Sequence, residues 1–289
     1  MAGETWTVGR LLGWTTDWLG AKGSESARLD AEVLLAFARG CPRIALYTAF
    51  DEEVDDACRA RFRELVRRRG EGEPVAYLVG SKEFFSLPLD VSAAVLVPRP
   101  ETEGLVVRAL DLCRPLEAPR IADVGTGSGA VAVALAKHLP RATIVATDIS
   151  AEALRVARGN IERHGVAPRV TTLHCDLLDD PRAAGPFDVV VSNPPYVRED
   201  EFDALPRDVR LHEPRGALVA GPTGVEVVER LAAMAVDRLA PGGWLLVEIG
   251  PATAAAAGEC LAGLGALDPG PTLADGAGLP RIVQARRRP

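Results

Sequence analysis

The sequence lacks the features that mark membrane, secreted and disulfide-stabilised proteins. It has no run of about 18 uninterrupted apolar residues, so no membrane span is predicted. Its start, MAGETWTVGRLLGW, carries an early acid and no basic region, unlike a secretory signal. The five cysteines are scattered without a C-x-x-C pair, which indicates reduced thiols and neither a disulfide framework nor a zinc site. We expect a soluble, cytoplasmic, monomeric protein without a metal.

The chain also lacks an excess of positive charge. It has 33 Lys and Arg against 40 Asp and Glu, a formal net charge of −7. Proteins that grip duplex nucleic acid usually carry a basic footprint, so no stable nucleic-acid partner is predicted. Two local RRR clusters, at 67–69 and 286–288, are interpreted as a solvated helix end and a solvated tail.

What is present is a chain of 289 residues, 47% of them hydrophobic, which suits a small domain followed by a medium one. Residues 1–80 carry apolar side chains at helical spacing and glycines where helices would end, which predicts a small all-α bundle. Four aromatic residues there are assigned to core packing and not to a ligand cage. They are Trp6, Trp14, Trp18 and Tyr47.

The pattern changes after residue 80. Residues 81–103 contain short β-prone runs broken by Ser, Pro and Asp, which predict a β-hairpin linker. From 104 to 289, apolar strands alternate with helices, and this predicts a Rossmann-like parallel sheet covered on both faces. Within it, residues 268–280 are interpreted as a loop. The predicted fold class is therefore α/β, preceded by a helical domain.

The first candidate site follows the predicted strand 120–124, in the stretch DVGTGSG. Ligands of open α/β sheets bind beyond the carboxyl ends of the strands, and glycines let the backbone approach a ligand with amides facing outward. The spacing is G-x-G-x-G and not the dinucleotide pattern G-x-G-x-x-G. An acid before the glycines would repel a pyrophosphate; it would attract a cationic group or hold loop amides. The candidate cofactor-binding residues here are Asp123, Gly125, Thr126, Gly127, Ser128 and Gly129.

Two further strand ends carry acids. Asp148 can accept hydrogen bonds from ribose hydroxyls, since Ser150 is better placed to cap the following helix. Asp176 can accept from an adenine amino group, with Leu177 packing on the base, although a plain polar turn would explain both residues. A cofactor with a ribose, an adenine and a positive centre but no phosphate is S-adenosylmethionine.

The fourth strand end reads SNPPY. Proline removes a ladder donor, so the strand must stop at Ser192 and a stiff loop must follow. The Asn193 side-chain oxygen and the Pro194 carbonyl can each accept one N–H of a planar NH2 group, aiming its nitrogen at a methyl group. Pro195 stiffens the loop and Tyr196 can lie against the flat group. Asn193, Pro194 and Tyr196 are the predicted catalytic residues, and a loop merely stiffened by two prolines is the alternative.

DVGTGSG with SNPPY resembles the amino-methylating class I methyltransferases. Within these, the chain is similar almost end to end to the peptide chain release factor N5-glutamine methyltransferases. The similar stretches are RLDAEVLLA at 28–36, EPVAYLVGSKEFFSLPLDV at 73–91, LVPRPETE at 96–103 and DVRLHEPRGALVAG at 208–221. The PRPETE stretch separates this branch from enzymes that methylate a glutamine of a large-subunit ribosomal protein.

The resemblance implies a helical domain that helps dock a protein substrate, a hairpin linker and a seven-stranded catalytic domain. It implies methylation of the glutamine in the Gly-Gly-Gln loop of class 1 release factors, with Asn193 also among the cofactor contacts. Arg99 and Glu101 lie beside the site by analogy, either as an ion-paired bend or as substrate contacts. The chain departs from the family in having Leu177 where an aromatic is common and Pro280 where an acid is expected.

Other functions fit part of the pattern. A DNA adenine-N6 methyltransferase would hold the adenine amino group with the same Asn-Pro-Pro-Tyr loop. It would also have to flip a base out of the duplex and bind phosphates, which the net negative charge of this chain disfavours. A ribosomal-protein glutamine methyltransferase is a second alternative. A third is an adaptor that binds S-adenosylmethionine or a release factor without catalysis.

Overall fold

The computed structural model describes residues 5–289. The chain divides into two compact units. The helical unit comprises Met1–Gly80 with Pro206–His212, and the sheet unit comprises Ser81–Leu205 with Glu213–Pro289. Among the residues described, no helix combines the length and the apolar character that crossing a membrane requires.

The helices and strands have the following bounds. The helices are α1 Val8–Ala21, α2 Ala27–Arg39, α3 Ala45–Thr48, α4 Asp56–Gly70, α5 Val75–Val79, α6 Glu103–Cys113, α7 Ala130–His138, α8 Ala151–Arg163, α9 Arg207–His212, α10 Glu226–Arg238 and α11 Ala254–Gly263. The strands are β1 Ser81–Phe84, β2 Leu87–Asp90, β3 Arg120–Val124, β4 Thr143–Asp148, β5 Val170–His174, β6 Phe187–Ser192, β7 Val197–Arg198, β8 Val219–Gly221, β9 Leu239–Glu248, β10 Leu267–Pro269, β11 Leu273–Ala274 and β12 Pro280–Arg287.

The helical unit is built from capped amphipathic helices. The Thr7 hydroxyl accepts the Arg10 amide at the start of α1, and α2 ends at Gly40 in the left-handed conformation. Leucines from α1 and α2, such as Leu12 and Leu34, are fully buried in one cluster. Burying each such side chain stabilises the fold by roughly 1.5–3 kcal/mol, and this apolar face holds the short helices together.

The core assignment of the four aromatic residues is wrong for two of them. Trp14 is 52% exposed and Tyr47 is 51% exposed. Trp14 stacks on Trp18 with ring centroids 6.1 Å apart, and the Tyr47 hydroxyl donates to Glu32 at 2.6 Å. Trp6 and Trp18 are partly buried and do pack against the helical core.

The first arginine cluster lies where it was predicted, in the last turn of α4. Each member is ion-paired: Arg67 with Glu64 and Glu71, Arg68 with Glu73, and Arg69 with Asp30. The second cluster is not a free tail, because β12 runs to Arg287.

Thr15 offers a stability prediction. It is fully buried in α1, and its hydroxyl has no hydrogen-bond partner within residues 5–289. Valine has the same shape without the hydroxyl, so Thr15→Val should raise the free energy of unfolding by about 1 kcal/mol in chemical denaturation. Thr16→Val is the matched control. It should not raise the free energy of unfolding, because the Thr16 hydroxyl donates to the Leu12 carbonyl at 2.7 Å and this bond would be lost. A loss of stability in Thr15→Val would contradict this prediction.

The sheet unit confirms the α/β fold class. Seven strands follow one another in the order β10-β12-β9-β6-β3-β4-β5, with β11 paired to β12 at its side. The five strands from β9 to β5 are parallel, and buried apolar clusters cover both faces. The expectation of a wholly parallel sheet is wrong at one edge, since β12 is antiparallel to β9 and to β10.

The segment 268–280 is not the plain loop that was expected. It contains the end of β10 and the whole of β11, and a tight turn leads into β12. The acid missing before Arg281 is supplied by Asp275, which pairs with Arg281 at 3.0 Å. An acid earlier in the turn thus pairs with Arg281 in place of one at position 280.

A hairpin formed by β1 and β2 belongs to the sheet unit. Asn160 of α8 is fully buried and fixes it there, because its side chain accepts from the Asp90 amide and donates to the Asp90 carbonyl. The same side-chain nitrogen donates to the Ser128 carbonyl at 2.8 Å. One buried amide therefore ties the hairpin to the glycine loop.

Candidate active site

The glycine loop joins β3 to α7. Gly125, Gly127 and Gly129 all have positive φ, at 71°, 55° and 80°. A β-carbon on Gly129 would lie 3.3 Å from the backbone and side chain of Ala157 in α8. The glycines are therefore required by the turn itself and by the close packing of α8 against the loop.

The expectation that the loop amides face outward is wrong for most of them. The amides of Gly125 and Thr126 both donate to the Thr147 carbonyl at 2.9 Å, and that of Gly129 donates to Thr126. The Gly127 amide donates to Asp148 at 2.8 Å. Since these donors are used within the protein, the loop is not built to cradle a phosphate.

Asp123 stabilises the glycine loop through its buried side chain. Its Oδ2 accepts the Thr126 hydroxyl at 2.6 Å and the Ala132 amide at 3.0 Å. Asp123 thus holds a loop side chain and the first turn of α7 and, within the described residues, no loop amide, while its attraction for a cationic group stays a prediction. Burial raises the pKa of Asp123 to about 6, and the nearby Asp148 adds to the rise.

Asp148 ends β4 and links two segments of the site. Its Oδ2 accepts the Gly127 amide and its Oδ1 accepts the Ser150 amide at 2.8 Å. Ser150 caps α8, as expected, by accepting the Ala153 amide. Each carboxylate oxygen can accept a further hydrogen bond, so Asp148 retains capacity for a ligand. Burial raises its pKa.

Asp176 and Leu177 lie in the turn after β5. The Asp176 carboxylate is paired with Arg230 of α10 at 2.5 Å, a partner that the sequence did not indicate. Leu177 has a positive φ of 51° and packs against the apolar cluster on one face of the sheet. A branched residue seldom adopts this conformation, so the turn is held by its surroundings.

The SNPPY loop begins where it was expected. β6 ends at Ser192, whose hydroxyl donates to the Val124 carbonyl at 2.7 Å and so ties this strand end to the glycine loop. The Asn193 side-chain nitrogen donates to the Thr102 hydroxyl at 3.1 Å. With the nitrogen held in this way, the carboxamide oxygen is directed to the other side of the side chain.

These strand ends share one cavity of about 340 Å³. Its wall includes most of the predicted site residues: Asp123, Gly125, Thr126, Gly127, Ser128, Asp148, Asp176, Leu177, Asn193, Pro194 and Pro195. Gly129 and Tyr196 are not part of the wall. Gly129 is turned toward α8, and the Tyr196 ring lies against Gly250, where a β-carbon would be 3.1 Å from it.

Sequence reasoning missed several residues around the cavity. Arg230, Thr102 and Phe84 line it, and Glu248 lies behind Thr102. Arg99 also lines it and is ion-paired with the buried Glu213, while a contact with substrate stays a prediction. Only Glu248 could have been noticed in the sequence, as an acid within the apolar strand WLLVEIG. Acids are seldom buried without a partner, so its position indicates a special role.

No group of three or more metal-ligating side chains occurs in the described part of the chain. The polar groups of the candidate site are carboxylates, hydroxyls, two arginines, backbone groups and one carboxamide.

The sheet order and a cavity lined by a glycine loop, an acid and an Asn-Pro-Pro-Tyr loop define a class I methyltransferase domain. The chain matches the family models described as PrmC N-terminal domain, over residues 10–80, and Methyltransferase small domain, over 102–208. The chain belongs to the release factor glutamine methyltransferase family, because it is similar along most of its length to several members.

Two of these relatives illustrate the similarity. The release factor glutamine methyltransferase of Rhodopirellula baltica is 54% identical over 250 residues, which cover 85% of this chain and 84% of the relative. That of Moorella thermoacetica is 43% identical over 282 residues, which cover 98% and 99% of the two chains.

Among solved structures, the catalytic domain of hMettl16 in complex with the MAT2A 3′UTR hairpin 6 superposes with a TM-score of 0.57 at 17% sequence identity. The match covers 78% of this chain and 82% of that one. This likeness concerns the fold alone.

Proposed function

We propose that this protein transfers the methyl group of S-adenosylmethionine to the side-chain amide N5 of the glutamine in the Gly-Gly-Gln loop of class 1 peptide chain release factors. One observation carries the proposal. Asn193 and Pro194 line the same cavity as Asp148 and the glycine loop, so an acceptor amide and a nucleoside cofactor can be held side by side. The names of the relatives give the acceptor.

The cofactor half of the cavity suits a nucleoside without phosphates. Asp148 keeps acceptor capacity for two ribose hydroxyls, while the loop amides are already bonded within the protein. Asp176 and Leu177 line the same cavity, which supports their assignment to the adenine amino group and ring. When bound, S-adenosylmethionine supplies a methyl group on a sulfonium.

The acceptor half is built to orient an NH2 group. An amide nitrogen is a poor nucleophile because its lone pair is delocalised into the carbonyl. Two acceptors, the Asn193 side-chain oxygen and the Pro194 carbonyl, take its two N–H groups, localise electron density on nitrogen and fix its direction. No base is needed before transfer, since the N-methylated cation is acidic and loses its proton afterwards. Tyr196 stiffens the loop from behind, against Gly250.

The helical unit is assigned to docking of the release factor. Residues 1–80 form the docking domain, 81–103 the linker and 104–289 the catalytic domain in this proposal. Apolar side chains of the helical unit that are at least 44% exposed provide a surface for a protein partner: Trp14, Leu29, Phe37, Ile44, Tyr47 and Phe50. We further propose that the enzyme acts in the cytoplasm, where its translation-factor substrate works, and that it is a monomer.

A transfer assay with radiolabelled S-adenosylmethionine tests the function. A class 1 release factor, its variant with Gln→Ala in the Gly-Gly-Gln loop, a ribosomal large-subunit preparation and DNA are offered in parallel. We expect label on the intact release factor alone. Label on DNA or on a ribosomal protein, without label on the release factor, would identify one of the alternative methyltransferases. Cofactor binding without any transfer would identify an adaptor.

A further inference from the structure

Glu248 is a carboxyl group in an unusual place. It ends β9, is 1% exposed, and its Oε2 has no hydrogen-bond partner within residues 5–289. Burying such a group costs stability unless it is compensated. The proposed transfer assigns it no direct contact with cofactor or acceptor.

The groups that face Glu248 come from three segments. Arg99, Glu101 and Thr102 approach from the PRPETE stretch, Arg281 approaches from β12, and Tyr196 from the loop after β6. Arg281 is itself paired with Asp275. Glu248 therefore has the Thr102 hydroxyl next to it, with the Tyr196 phenol, two cations and a second acid around it.

Thr102 connects Glu248 to the acceptor site. It is buried, and its oxygen accepts a hydrogen bond from the Asn193 side-chain nitrogen at 3.1 Å. A hydroxyl has only one hydrogen to donate, and the Glu248 carboxylate is the acceptor that faces it. The Thr102 oxygen already accepts from the Asn193 NH2, so the Thr102 hydrogen is available for donation to the nearby Glu248 carboxylate.

We propose that Thr102 and Glu248 are positioning residues that fix the orientation of the Asn193 carboxamide, so that its oxygen and not its nitrogen meets the acceptor amide. The inference rests on the proposed function of Asn193. A carboxamide that is free to rotate by 180° would present NH2 to NH2, and two donors facing each other cannot bind.

Protonation of Glu248 would reverse the direction of these hydrogen bonds. A neutral carboxyl can donate to the Thr102 oxygen, which frees the Thr102 hydrogen for the Asn193 oxygen and turns the carboxamide nitrogen toward the acceptor. Burial raises the pKa of Glu248 to about 7, and the Thr102 hydroxyl and Arg281 only partly offset the rise. Since the charged form is the productive one, methyl transfer should increase as the pH rises through this value.

The first test replaces Thr102. Thr102→Val keeps the shape and removes both hydrogen bonds, so kcat should fall about 10- to 100-fold while the Kd for S-adenosylmethionine changes less than about threefold. Thr102→Ser restores the hydroxyl and should recover most of the rate. Thr15→Val, a buried threonine of the helical unit, is the matched control and should transfer methyl groups like the wild type.

The second test is the pH dependence of kcat from about pH 6.5 to 8.5, where Asp123, with its pKa of about 6, is already mostly ionised. The wild type should show an acid limb, and Glu248→Gln should transfer more slowly with no such limb. A limb that persists unchanged in Glu248→Gln, or a Thr102→Val enzyme with wild-type kcat on the release factor, would overturn the inference and leave the proposed function standing. If the wild-type enzyme labelled another acceptor and not the release factor, the proposed function would be wrong. The same variants would then be assayed on that acceptor.

Discussion

Replacing Asn193 by alanine is expected to lower kcat by about a hundred- to a thousandfold, while the affinity for S-adenosylmethionine falls less than about tenfold. The cavity wall keeps Asp148 and the glycine loop in this variant, so the cofactor half of the site is preserved. What is lost is one of two oxygens that orient the acceptor, and removing one preorganised polar group typically costs a factor of 10²–10³ in kcat. Single-turnover transfer and isothermal titration measure the two effects separately.

Asn193→Asp is the matched variant, because it keeps the shape and an acceptor oxygen. It should retain part of the activity on an NH2-bearing acceptor, well above that of Asn193→Ala. If Asn193→Ala bound the cofactor far more weakly while single-turnover transfer at saturating cofactor stayed normal, the role of Asn193 in holding the acceptor would be wrong.

Replacing Asp148 by alanine should raise the Kd for S-adenosylmethionine by about a hundredfold or more. Asp148 holds the Gly127 and Ser150 amides, so its loss frees the loop as well as removing a ribose acceptor. Hydrogen bonds to charged groups contribute about 1.5–3 kcal/mol each, and two such bonds account for the expected loss. Isothermal titration with the purified variant measures it, and circular dichroism confirms that the variant is folded.

Asp180→Ala is the control for this change. Asp180 is a loop acid paired with Arg182, outside the cavity wall, and the variant should bind the cofactor like the wild type. Near wild-type affinity in Asp148→Ala would show that the ribose is held elsewhere.

The position of the site was predictable because parallel strands end at one edge of a sheet. Asp123, Asp148 and Asn193 each follow an apolar run, and β3, β4 and β6 are neighbours in the sheet. The end of β6 at Ser192 followed from the prolines alone. In these cases the strand ends predicted from short sequence patterns are the strand ends that the folded sheet has.

The parts that were missed depend on contacts between distant segments. The sequence predicted outward-facing amides in the glycine loop, but the Thr147 carbonyl, on the adjacent strand, accepts two of them. Arg230, 54 positions after Asp176, pairs with that acid, and no local pattern indicates the pairing. Trp14 and Tyr47 are large and apolar enough for a core, yet the short helices leave them at the surface.

The most direct test of the account is a crystal structure with S-adenosylhomocysteine and a peptide that contains the Gly-Gly-Gln loop. The account predicts the glutamine side-chain nitrogen within about 3 Å of both the Asn193 side-chain oxygen and the Pro194 carbonyl oxygen. It also predicts the Asn193 nitrogen on Thr102, as in the present structure. A glutamine amide held by another pair of acceptors, with Asn193 turned into the protein, would contradict it.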